Sequence, residues 1–174
     1  EFVFKDNGRG PELEEEFSLN PDGTFRSYRV TGTSTFGAPV DERFELVDGL
    51  ARWKSTSDQG EQRVAEGAQY SPLGGTPAVV SVALAALAAR DDGRLPLIPS
   101  GSLSVRKVAD AQVRRGDETR TVQLVAITGI GFTPTFAWAT DEARPRLFAY
   151  IFPGLLQLVE EGWEANADAL EEAQ

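Results

Sequence analysis

The chain has 174 residues, a formal net charge of −10 from 27 acidic and 17 basic residues, and 41% hydrophobic residues including ten Phe, three Tyr and three Trp. That is enough apolar material for a single core and one domain spanning 1–174, while the acidic balance argues against nucleic acid and anionic lipid as partners. Histidine, cysteine and methionine are all absent, which removes imidazole and thiolate, the usual metal ligands, nucleophiles and near-neutral bases, and leaves carboxylate, hydroxyl, amine and guanidinium chemistry.

Glu1 to Lys5 reads as a strand entered without an initiating methionine, and a cut beginning of a longer protein is the expectation. Leu13, Phe17 and Leu19 then share one strand face, with Glu14, Glu16 and Ser18 on the other, and Asn20-Pro21-Asp22-Gly23 supplies a turn into a partner from Phe25 to Val30. Asp48-Gly49, set between alternating segments Arg43–Val47 and Leu50–Trp53, predicts a two-residue hairpin turn. Residues 55–76 are polar and predict a long connection, with one short strand near Arg63-Val64.

Thr76-Pro77 has the chemistry of a helix start. From Ala78 to Ala89 only Ser81 is polar, so this helix is expected to be surrounded by other elements. It is shorter than the roughly 20 residues a membrane span needs. Strands resume from Leu103 to Arg114, turn at Arg115-Gly116-Asp117, return from Thr119 to Ile127, and continue as a pair at Phe132–Trp138 and Leu147–Phe152. Leu155, Val159, Trp163, Ala167 and Leu170 are spaced as one apolar stripe and predict a terminal amphipathic helix. Its many acids oppose the helix dipole at the C-terminal end, so it is expected to continue into, or dock on, a further segment. The order of elements predicts an α+β fold in which one large curved antiparallel sheet wraps around a single apolar helix, with the C-terminal amphipathic helix appended.

Glu12, Glu14, Glu15 and Glu16 form the densest acidic run, and Glu14 with Glu16 share a face as a carboxylate pair would. Nothing beside them raises one carboxyl above the other, so a solvated strand face is the better reading. Asp22, Asp41 and Asp48 read as turn residues in place of cation ligands. Gly8-Arg9-Gly10 and Gly129-Ile130-Gly131 lack P-loop spacing and read as turns. Lys5, Lys54 and Lys107 have no Ser-x-x-Lys arrangement that would activate a serine. No catalytic, cofactor or metal residue is assigned. The candidate binding residues are apolar: Phe132, Phe136, Trp138, Phe148 and Tyr150 crowd two strands, and with Leu84 and Leu87 of the helix they define either a filled core or a cavity for an apolar ligand.

Several stretches together carry a resemblance: Asp6-Asn7-Gly8-Arg9-Gly10-Pro11, Gly93-Arg94-Leu95-Pro96-Leu97 with Pro99-Ser100-Gly101, Ile127-Thr128-Gly129-Ile130-Gly131-Phe132-Thr133-Pro134, and Glu161-Gly162-Trp163-Glu164. Over essentially its whole length the chain resembles the β-rich region that precedes the catalytic domain in bacterial amidohydrolase-family proteins. The resemblance implies a secreted or periplasmic parent hydrolase and a partner hydrolase domain in the same polypeptide. It places the divalent metal and its histidine ligands downstream, and no metal or cofactor in this segment. The expected role is a non-catalytic accessory domain that packs against and positions that hydrolase domain. The alternative is a binding module for an apolar or lipid-like ligand in a half-barrel between sheet and helix.

Overall fold

The computed structural model describes all residues, 1–174. It corrects the expected fold class. About half of the residues lie in strands, which form two sheets of six and seven strands, and the two helices are short. The protein is therefore mostly β, and no single large sheet wraps the apolar helix. Alternation within a segment marks a strand but carries no record of its neighbours, so two sheets and one look alike in the pattern. No helix is long and apolar enough to cross a membrane.

Contacts divide the chain into two compact units, Glu1–Val79 with Pro96–Gly101, and Val80–Leu95 with Ser102–Gln174. The first contains an antiparallel meander of β1 (Phe2–Val3), β2 (Glu12–Leu19), β3 (Phe25–Thr33), β4 (Pro39–Val47), β5 (Leu50–Lys54) and β6 (Gln59–Arg63), each paired with the next. At the β4–β5 turn Asp48 and Gly49 have φ of 50° and 73°. Both central residues thus take the left-handed conformation of a type I′ turn, whose twist matches that of the strands. The polar connection after β5 holds more order than its composition suggests. It contains β6, a polar edge strand, and β7 (Gln69–Tyr70), which pairs in parallel with Leu97 and Ile98 of β8 (Arg94–Ile98). Leu13, Phe25, Tyr28, Val30, Phe44, Ala51 and Tyr70 are buried in this unit.

In the second unit, β9 (Ser102–Arg115), β10 (Glu118–Thr128), β11 (Thr135–Thr140), β12 (Leu147–Phe152) and β13 (Leu156–Val159) pair in sequence, all antiparallel. Val122, Leu124, Val125, Ala126 and Ile127 of β10 are buried, so both faces of this strand are covered. On one face Leu124 and Trp138, directly opposite each other, cluster with Phe148, Trp163 and Leu170. On the other, Val125 and Ala139 face Leu84 and Leu87 of α1 (Ala78–Ala88). The backbone N–H of Leu147 donates to Ser81 Oγ at 3.1 Å, which gives the one polar side chain of α1 a partner.

The terminal helix is also corrected. Pro153-Gly154 turns the chain, with Leu155 N–H donating to Phe152 C=O at 2.9 Å, and Leu156–Val159 forms β13 against β12. A glycine at φ 82°, Gly162, then breaks the path. A 3-10 turn (Glu164–Asn166) leads into α2, which is confined to Ala167–Ala173. The apolar stripe is half right in substance: Trp163, Ala167 and Leu170 are buried, whereas Leu155 is exposed. A five-residue spacing coincidence cannot outweigh the hydrogen bonds that a free strand edge offers to 156–159.

Candidate functional site

Among the candidate binding residues, Trp138 and Phe148 are fully buried and meet in one cluster, where Phe148 packs edge-on to Trp163 with ring centroids 5.8 Å apart. Phe136 is half-buried against that cluster. Tyr150, half-buried, stands edge-on to Phe152 at 4.8 Å, and burial pushes its phenol above the ordinary tyrosine range. Leu84 and Leu87 are buried in α1 and line a cavity on the opposite sheet face. Phe132 joins neither group, because it is fully exposed in the β10–β11 loop.

The acidic run resolves residue by residue. Glu12 pairs with Lys5 at 2.7 Å, and the hydrogen bond and charge of that ammonium hold its carboxyl below the usual range. Glu14 and Glu16 are exposed. Glu15 is different, since on β2 it keeps the phase of Leu13 and Phe17. Its Oε1 accepts from Tyr28 Oη at 2.7 Å and Thr76 N–H at 3.0 Å, and its Oε2 accepts from Thr76 Oγ1 at 2.6 Å. Glu42, on β4 in phase with Val40 and Phe44, is 2% exposed. It accepts from Tyr70 Oη at 2.7 Å, Leu73 N–H at 3.0 Å and Gly74 N–H at 2.9 Å.

These two acids are linked by register. Glu15 lies opposite Val30, and Val30 lies opposite Glu42, so they occupy one row across β2, β3 and β4. From that row they hold the end of β7 at Tyr70 and the irregular segment 71–76 that leads into α1, and Thr76 Oγ1 also accepts the Ala78 N–H at 3.1 Å as the helix cap. Gly74 is required by close approach, since a Cβ there would come within 2.9 Å of Val40. Burial first, then the hydrogen bonds to Glu15 and Glu42, drive the phenols of Tyr28 and Tyr70 far above their normal range, so both stay protonated donors. Donors occupy both oxygens of each carboxylate. The arrangement is suited to fixing backbone, not to activating water. Sequence reasoning missed both residues, although an acid in core phase on each strand was the available signal.

A further polar group surrounds Trp163. Arg115 and Arg120 stack over its ring at 4.8 and 4.5 Å, and Glu118 bridges both guanidinium groups at 2.7 Å. Those two hydrogen bonds hold the Glu118 carboxyl below its usual range. No three acidic side chains converge as a set able to hold a metal ion.

One end of the second unit has the opposite character. Register places the β10–β11 loop and the β12–β13 turn at the same end of the sheet, because Ile127 pairs with Thr135, Trp138 with Ala149, and Phe152 with Leu156. Ile130, Phe132, Phe152 and Leu155 are all exposed there. The sequence carries no charge between Arg120 and Asp141, or between Arg146 and Glu160. No family model, curated protein or solved structure matches this chain.

Proposed function

We propose that the chain is a non-catalytic accessory domain that packs against and positions the metal-dependent hydrolase domain of an amidohydrolase-like enzyme. The observation that carries this reading is the apolar end of the second unit, where Ile130, Phe132, Phe152 and Leu155 are exposed on two connections that themselves carry no charge. Single exposed apolar residues need no explanation, whereas a cluster of large ones marks an interaction surface. Covering it is favourable by about 25 cal/mol per Å² of apolar area. The loop with Ile130 and Phe132 is also one of the stretches behind the resemblance to the region preceding amidohydrolase catalytic domains. The occupied oxygens of Glu15 and Glu42 support the same reading, since they leave these two acids a structural task. In this proposal the partner domain supplies the divalent metal and its histidine ligands, in a bacterial secreted or periplasmic enzyme.

The test is a double variant, Ile130→Asp with Phe132→Asp, made in a polypeptide in which this chain is followed by its hydrolase domain. The expected result is a lower melting temperature for the hydrolase transition and a lower kcat/KM, with the circular dichroism of the 174-residue chain unchanged. Unaltered hydrolase stability and activity would overturn the proposal, as would a coding sequence that ends without such a domain.

A further inference from the structure

We infer that the cavity beneath α1 is a binding site for a small uncharged apolar molecule, about the size of one aromatic ring. This inference does not rest on the accessory-domain reading. The cavity lies wholly within the second unit and has a volume of about 180 Å³. Its floor is aliphatic: Leu84, Leu87, Val125 and Ala139, all buried. An enclosed aliphatic cavity of roughly 150 Å³ admits benzene; the space under α1 is of that size and opens to solvent on the side of Ala88, Gly93 and Lys107, all exposed. The space is encoded by small residues, since Ala88, Gly93 and Ala139 stand where larger side chains would fill it.

The polar residues at the rim decide the ligand class. Lys107 Nζ is held by Asp110 at 2.8 Å, and Gln123 Nε2 donates to Asp141 Oδ1. Both rim groups are thus engaged with an acid. Asp110 already offsets the charge of Lys107, and Asp141 adds a second negative charge near Gln123, so a carboxylate ligand gains little attraction at this rim for the hydration it loses, a cost that an uncharged molecule avoids. Size sets the other limit, because drug-sized ligands occupy about 300–1,000 Å³. A single ring or a short alkyl tail is what the space and its lining accept.

The experiment is a ¹H–¹⁵N correlation titration of the 174-residue chain with toluene, and separately with hexanoate at neutral pH. Toluene is expected to produce saturable shifts centred on Leu84, Leu87, Val125 and Ala139, with hexanoate at least tenfold weaker. Ala139→Leu fills the floor and is expected to abolish the shifts. Ala88→Leu, at the exposed end of α1, fills the cavity from its rim with little risk to folding and is expected to weaken toluene binding at least fivefold. Absence of saturable shifts with toluene would overturn the inference. Toluene shifts of undiminished size in a folded Ala88→Leu variant, or hexanoate binding as tight as toluene, would do the same.

Discussion

The two units bury their sheets by different means. In the first, the inner face of the meander carries two acids in core phase, Glu15 and Glu42, and the segment they hold is irregular. The backbone N–H groups of Leu73, Gly74 and Thr76 cannot find partners in a ladder or a helix, so side-chain carboxylates accept from them. In the second, α1 satisfies much of its own backbone, and the sheet meets it mainly with apolar side chains, Ser81 being its one polar contact to Leu147. The difference teaches that an acid in a hydrophobic strand pattern here marks a backbone segment in need of acceptors, not a reaction centre.

The comparison is open to attack from both sides. The largest effect is expected in the second unit, where Trp138→Ala deletes a fully buried ring; guanidinium unfolding followed by circular dichroism should show a loss of about 3–5 kcal/mol. In the first unit the sensitive quantity is polarity. Glu42→Gln keeps the volume but turns an amide N–H₂ toward existing donors, and should cost about 2 kcal/mol. Trp53 reports that unit and Trp138 with Trp163 report the other, so the fluorescence of Trp53→Phe and unsubstituted chains separates the two transitions. A neutral Glu42→Gln would break the contrast between the units.

A third test uses alkali. The folded pKa values of Tyr28 and Tyr70 lie above the unfolded value near 10, so their stabilisation is complete below about pH 10. Above it the unfolded chain releases protons that the folded chain retains, and stability falls by up to about 1.4 kcal/mol per pH unit for each tyrosine. Thermal melts from pH 8 to 11 should therefore steepen with pH, and the slope should flatten in Tyr28→Phe with Tyr70→Phe. An equal slope in the double variant would remove the phenols from the account.

The smallest effect is expected at low pH. Glu118 has a depressed folded pKa, so its contribution is present above the ordinary carboxylate range and disappears as pH falls through the folded value. The site is exposed, and the stabilisation is correspondingly slight. Glu118→Gln should reduce the acid sensitivity of melting measurably only at low ionic strength.

Much of the strand structure was legible because the signals are local. The alternation of Arg43–Val47 and Leu50–Trp53 around Asp48-Gly49, and the Thr76-Pro77 helix start, each involve chemistry within a few residues. Residues 155–163 were misread for a physical reason: Leu155, Val159 and Trp163 fit a helical period, yet the open edge of β12 offered 156–159 a ladder. The candidate site divided in the same way. Leu84 and Leu87 line a cavity, while Trp138 and Phe148 fill the core on the other face of the sheet. Register makes the assignment: Leu124 lies opposite Trp138 on the core face, and Val125, its neighbour in the strand, points to the face covered by α1.

The sequence by itself determined most strands of the two meanders, the Asp48-Gly49 turn and the apolar helix, because turn geometry, capping and side-chain alternation are short-range properties. Tertiary structure alone decided that there are two sheets, that Glu15 and Glu42 lie in one row, and that small residues from α1, the turn after it and β11 leave a cavity under α1. Those features depend on strand partnership and register, in which residues far apart in the chain compete for the same hydrogen bonds and the same apolar surface.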